Sequence, residues 1–115
     1  MTRRVAVTGL GLVTPVGNDV ASTWSALVAG QSGAGPITRF DSARLPVHFA
    51  CEVKRFDPSP YMDRKEVRRY DLFSQFAVAA AAQAVRDACL EQKGKGELDP
   101  KRVGVIIGTG TGGIA

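Results

Sequence analysis

The chain has 115 residues, of which 44% are apolar and 23% charged, and its formal net charge is +4. That balance fits a folded domain and not a disordered tail, and so mild a positive charge does not by itself call for nucleic acid. No apolar run approaches the ~20 residues of a membrane span, the first apolar run is too short for a signal peptide, and two cysteines with one histidine are too few for a zinc site. The expectation is a cytoplasmic protein with reduced thiols.

In chain order, Arg4-Val-Ala-Val-Thr8 is short, apolar and β-branched, and predicts a buried strand closed by Gly9-Leu-Gly11. Pro15 and Gly17 mark a loop. Asn18 or Asp19 can cap a helix that runs to Ala29, with Gly30 just past its end. Val20, Trp24, Leu27 and Val28 share one face of that helix. Val47, Phe49, Cys51 and Val53 alternate with His48, Ala50, Glu52 and Lys54, which predicts a half-exposed strand with Cys51 on its apolar side. Pro58 and Pro60 then break the chain.

Asp63 can cap a short helix from Arg64 to Tyr70, and Asp71 a long one from Leu72 to about Gln92. In the long helix Phe73, Phe76, Ala77, Ala80, Ala81, Ala84 and Ala88 make a stripe of mostly small side chains, suited to lie close against other backbones. Lys93 to Pro100 reads as a solvated turn, and Val103-Gly-Val-Ile-Ile107 as a second buried strand running into a glycine-rich turn. The order of elements predicts an α/β fold with a mostly parallel sheet. A strand of the terminal kind needs neighbours on both sides and a helix after it, so the 115 residues read as the front piece of a larger α/β enzyme.

Gly108-x-Gly110-x-x-Gly113 formally matches a dinucleotide-binding turn, in which backbone N–H groups meet a pyrophosphate. That turn usually follows the first strand of its domain. Here the first turn, Gly9-Leu-Gly11-Leu-Val-Thr14, has threonine where the third glycine belongs. No lysine follows Gly113, which excludes a P-loop, and tight backbone packing is the stronger reading of the glycines. Lys65, Arg68 and Arg69 share a helix face beside Arg64, with Glu66 the only acid among them. A solvated face and a docking patch for an anionic partner both fit this pattern. Cys51 and Cys89 lack the helix N-terminus or cationic neighbour of a reactive thiolate, and read as small core residues. His48 falls on the polar side of its strand.

Taken together, the segments resemble the N-terminus of the β-ketoacyl-acyl-carrier-protein synthases, most of all the type II elongation enzymes of bacterial fatty acid synthesis. The resemblance is carried by Arg3-Arg-Val-Ala-Val-Thr-Gly-Leu-Gly11 with Thr14-Pro-Val-Gly17, by Trp24, Leu27 and Gly30-Gln-Ser-Gly33, and by Phe40-Asp41, Phe49-Ala, Glu52-Val53 and Phe56-Asp57. Arg64-Lys-Glu-Val-Arg-Arg-Tyr-Asp71 and Gly104-Val-Ile-Ile-Gly-Thr-Gly-Thr-Gly-Gly113 complete it. Order and spacing, more than any one segment, make it specific.

The resemblance implies a thiolase-like fold, of which residues 1–115 would form an incomplete first half. It implies a homodimer at full length, decarboxylative Claisen condensation with malonyl-acyl carrier protein, and no metal or organic cofactor. The family's nucleophilic cysteine, two histidines and lysine match nothing in this chain and are expected downstream, so the piece alone is expected to be inactive. Two features carry over. Lys65, Arg68 and Arg69 match the basic patch that receives acyl carrier protein, and Thr111 matches a gate position of the acyl pocket. The long-chain enzyme commonly has isoleucine at that gate and its shorter-range relative glycine, so threonine departs from both. Two other readings stand beside the enzyme: a non-catalytic chain-length-factor-type subunit of polyketide assembly, and a dinucleotide-binding module.

Overall fold

A computed structural model describes residues 2–90 and 99–113. Its elements are α1 (Val20–Val28), β1 (Gly35–Pro36), β2 (Phe49–Ala50), α2 (Arg64–Arg69), α3 (Leu72–Asp87) and a 3₁₀ turn at Pro100–Arg102. The chain divides into two compact units, Leu12–Asp57 and Met1–Gly11 with Pro58–Ala115.

In the Leu12–Asp57 unit a tight turn precedes α1. Thr14 and Gly17 exchange backbone hydrogen bonds of 2.7 and 3.3 Å. The Thr14 hydroxyl accepts from the N–H groups of Val16 and Gly17 and meets the Thr23 hydroxyl at 3.1 Å. A Cβ at Gly17 would collide with the backbone of Thr23, so glycine lets the turn sit directly on α1. Asp19 is the N-cap: its carboxylate accepts from Ser22 N–H at 2.7 Å, and that bond holds its pKa below the usual aspartate value. Asn18, the other candidate cap, reaches elsewhere. Its amide donates to the carbonyls of Lys54 and Arg55 at 3.0 and 3.2 Å, beside the left-handed backbone of Arg55 (φ 52°). At the C-terminus Gly30 adopts φ 65°, with Gly30 N–H bonded to Leu27 and Gln31 N–H to Ala26, a Schellman ending.

The buried face of α1 is Thr23 and Ala26. The apolar face expected to be covered is not: Trp24 is 66% exposed, and Leu27 and Val28 are exposed with it. The Thr14–Gly17 turn takes the small-residue side, where the Thr23 hydroxyl donates to the Gly17 carbonyl at 3.2 Å.

The strand expected over residues 47–53 shrinks to Phe49–Ala50, paired antiparallel with Gly35–Pro36. Pro36 has no N–H to donate, which cuts the ladder short. Ile37 N–H adds one bond to the carbonyl of His48, an exposed histidine. Beyond it a side chain takes over. The Glu52 carboxylate accepts from Thr38 N–H, Thr38 Oγ1 (2.7 Å) and Arg39 N–H. Over residues 49–52 the expected alternation is inverted: Ala50 and Glu52 are partly covered while Phe49 and Cys51 are exposed. Cys51 is therefore not the core residue its spacing suggested.

The Thr38 hydroxyl bond is the main cause that holds the Glu52 carboxyl below 4.5. A depressed carboxyl stabilises the fold above the unfolded value, and that contribution is lost as pH falls through the folded value. Thr38→Val is expected to move the Glu52 titration, followed by NMR, back toward 4.5. An unmoved midpoint would mean that the hydroxyl is not the cause.

In the second unit α3 lies on the chain's first residues. A Cβ at Gly9 would collide with Ala84 and Ala88, and one at Gly11 with Ala80 and Ala84. The alanine stripe does lie close against backbone, as its small side chains predict. Leu10 N–H donates to the Asp87 carboxylate at 2.9 Å, and Ala79 is fully buried. The helix ends at Asp87, earlier than expected. Cys89 N–H bonds to Arg86 and Leu90 N–H to Val85, a second Schellman ending, with Cys89 at φ 54° where glycine is usual. Cys89 is exposed, so it too is no core residue. The expected helix end at Gln92 lies outside the described residues.

Residues 4–8 and 103–107, read from the sequence as central strands, form no ladder among the described residues. A central strand needs partners on both edges; here Val5 is 90% and Ile106 99% exposed. The mostly parallel sheet is thus not seen, and the ladder among the described residues is the antiparallel pair β1–β2. No helix among them is long and apolar enough to cross a membrane.

Candidate functional site

The basic cluster lies on α2, a helix of six residues. So short a helix is unstable without help from its ends. The help is a complete capping box. Asp63 Oδ1 accepts from the N–H groups of Lys65 (2.7 Å) and Glu66 (2.8 Å), and Glu66 Oε2 accepts from Asp63 N–H (2.9 Å). At the other end Tyr70 N–H bonds to Glu66 O at 2.9 Å. The Gln75 amide donates to the carbonyls of Val67 and Tyr70 at 3.1 and 2.8 Å. Gln75 is buried, and it ties α2 to the first turn of α3. Sequence reasoning missed it; the available signal was a long polar side chain among apolar neighbours at the head of an alanine-rich helix.

The capping box has an electrostatic consequence. The carboxylates of Asp63 and Glu66 bond to backbone N–H groups at the helix start. Arg64, Lys65, Arg68 and Arg69 are exposed, and among the described residues none forms an ion pair. Arg68 and Arg69 occupy the last turn, where the helix dipole favours cations. The structure therefore gathers Lys65, Arg68 and Arg69 on one short, fixed helix.

Thr111 is not part of this cluster. It is exposed, in a turn where Gly112 N–H donates to Thr109 Oγ1 at 3.1 Å and Gly112 adopts φ 65°. Just before it runs an apolar groove of about 430 Å³, whose lining includes Phe73, Phe76, Val78, Ile107 and Thr109 but not Thr111. The glycines of this turn differ from one another. A Cβ at Gly108 or Gly110 would meet open space, so tight packing does not explain them. At Gly113 a Cβ would press on the Asp71 carboxylate and lie 3.0 Å from the Phe73 ring. No group of three or more His, Cys, Asp or Glu among the described residues could hold a metal ion.

A family profile, "Beta-ketoacyl synthase, N-terminal domain", matches residues 2–114. The chain belongs to the β-ketoacyl synthase family. Among its relatives, the 3-oxoacyl-[acyl-carrier-protein] synthase 2 of Coxiella burnetii is 50% identical over 112 residues, which is 97% of this chain and 26% of that protein. Proteins of the same name from Synechocystis and Staphylococcus aureus are 48% and 44% identical over the same shares. A solved structure titled "The ishigamide ketosynthase/chain length factor" matches 72% of this chain and 21% of that one, with a TM-score of 0.66 and 40% identity. This β-ketoacyl synthase chain thus has the thiolase-like fold of the ketosynthases and spans about a quarter of the length of the curated relatives it matches.

Proposed function

We propose that this β-ketoacyl synthase chain supplies scaffold, carrier docking and part of the acyl pocket to a condensing enzyme of the 3-oxoacyl-acyl-carrier-protein synthase 2 kind. In that reaction an acyl group passes from its carrier to a cysteine thiolate. Malonyl-carrier then loses carbon dioxide, and the resulting carbanion forms a carbon–carbon bond with the acyl carbonyl, expelling the thiolate. Neither Cys51 nor Cys89 fits the nucleophile's place, so the chain by itself performs no condensation. Thr111 is assigned to the acyl pocket; it is β-branched and stiff like isoleucine but smaller and polar. The full-length protein is assigned as a cytoplasmic homodimer.

The observation that carries the reading is α2, a short capped helix that presents four exposed cations. The partner is acyl carrier protein, whose docking helix is acidic. The similarity to a ketosynthase/chain length factor structure favours one second reading, a non-catalytic subunit with the same docking helix.

Titration of acyl carrier protein into the full chain at low ionic strength tests the proposal. Binding that weakens as salt rises is expected. No detectable binding at low salt would overturn it. A parallel titration with NAD is expected to be flat, and saturable binding there would revive the dinucleotide reading of Gly108 to Gly113.

A further inference from the structure

The glycine turn that carries Thr111 rests on the first turn of α3. Gly108 and Gly110 face open space, whereas Gly112 and Gly113 meet the helix. A Cβ at Gly112 would lie 3.8 Å from the tip of the Phe73 ring. One at Gly113 would press on the Asp71 carboxylate and lie 3.0 Å from the same ring. We propose that Phe73, with the Asp71 carboxylate beside it, is a positioning residue: it seats Gly112 and Gly113, fixes where Thr111 stands, and so helps to select which acyl chains are accepted. The inference rests on the assignment of Thr111 to the acyl pocket and adds to it the group that holds Thr111 in place.

Asp71 behaves unlike the other capping aspartates. It stands at the N-cap of α3 with extended backbone, φ −61° and ψ 156°, yet its side chain makes no cap bond, whereas Asp19 and Asp63 both make theirs. Its carboxylate lies against Gly113 instead. The seat is itself held, because the buried Gln75 ties the first turn of α3 to the carbonyls of Val67 and Tyr70. The turn above it is equally defined. Gly112 takes φ 65°, a left-handed conformation that glycine adopts without strain, and its N–H closes on Thr109 Oγ1 at 3.1 Å. Phe73 also lines the apolar groove with Ile107, Gly108 and Thr109, so one ring borders the chain on both sides of Thr111.

Threonine makes this placement matter. Its side chain is β-branched and restricted at χ1, so it has little freedom to absorb a displaced backbone. A shift of the turn therefore becomes a shift of the Thr111 hydroxyl and methyl. In a site that discriminates by fit, a misplacement of about 1 Å can cost up to about 100-fold in rate.

The test compares kcat/KM for myristoyl- and octanoyl-acyl carrier protein in the full-length protein with Phe73→Ala, with Thr111→Ile and with both. The ratio of the two values is the readout, because a partly misfolded sample lowers both alike. Thr111→Ile is expected to change the ratio about tenfold, and Phe73→Ala about fivefold. The double variant is expected to fall well short of the product of about fiftyfold, since residues that act through one turn do not act independently. Gly113 has no positive φ, so Gly113→Ala can lift the turn off the same seat without backbone strain. It is expected to shift the ratio as Phe73→Ala does, and it decides the matter if Phe73→Ala does not fold. A ratio unmoved by Phe73→Ala and Gly113→Ala, while Thr111→Ile moves it, overturns the positioning inference and leaves Thr111 in the pocket. Single shifts that simply multiply in the double variant overturn it too, because Phe73 then acts on the groove and not through Thr111. If Thr111→Ile leaves the ratio unchanged, the pocket assignment itself fails and the inference falls with it.

Discussion

Gly11→Ala is expected to destabilise the chain by about 3 kcal/mol, at the upper end of what overpacking costs. The cause is steric. Neither Gly9 nor Gly11 has a positive φ, so an alanine backbone could adopt either conformation. The added methyl has no room: at position 11 it would run into the Ala80 carbonyl and lie 2.8 Å from the Ala84 nitrogen. Those atoms belong to the backbone of α3 and cannot rotate away as a side chain could. Two consequences separate this account from a general intolerance of substitution. Ala80→Gly should not rescue Gly11→Ala, because the clash is not with the Ala80 methyl. Gly108→Ala, where a Cβ would meet nothing within 4 Å, should change stability by less than about 0.5 kcal/mol. Thermal unfolding of the full chain and these variants is the measurement. A midpoint for Gly11→Ala equal to that of the unsubstituted chain would mean that α3 does not lie on residues 9–11 as described.

Reversing Lys65 and Arg68 together, Lys65→Glu with Arg68→Glu, is expected to weaken binding of acyl carrier protein roughly 100-fold at low salt, since like charges brought together at an interface cost several kcal/mol. Most of the loss should appear in the association rate, because exposed charges act mainly by steering. It should shrink as salt shortens the screening length. The capping carboxylates of Asp63 and Glu66 are untouched by either substitution, so α2 should keep its helical ends. Equal affinities for the two proteins at low salt would reduce α2 to a solvated face.

What the sequence disclosed follows the range of the forces involved. Asp63 was legible as an N-cap, and Asp19 as one of two candidates beside Asn18, because capping depends on residues two or three apart along the chain. The alanine stripe was legible as a surface for close backbone approach, and the glycines at 9 and 11 meet it. The cluster on α2 was legible from helical spacing alone. Long-range competition was not. The spacing of Val20, Trp24, Leu27 and Val28 marks an apolar face correctly, but cannot say that the Thr14–Gly17 turn will claim the opposite side of α1. The signal at Gln75 was a long polar side chain among apolar neighbours, but its spacing did not say that it would serve the end of the preceding helix. Nor did local spacing announce that Glu52 would replace a ladder interrupted by Pro36. The early end of α3 was missed because Cys89 takes a left-handed conformation that its residue type does not advertise.

The placement of the two thiols turns the chain into its own reporter. Cys51 and Cys89 are both free and exposed, there is no third cysteine, and they belong to different compact units. Thiol-specific spin labels or dyes can therefore be attached to this chain without altering a single residue, one in each unit. Cys89 is a well-defined anchor for such a probe, because the hydrogen bonds of Cys89 and Leu90 N–H fix the helix end that carries it. The same labelled sample, with and without the carrier, would show whether docking on α2 is felt in the unit that contains Cys51.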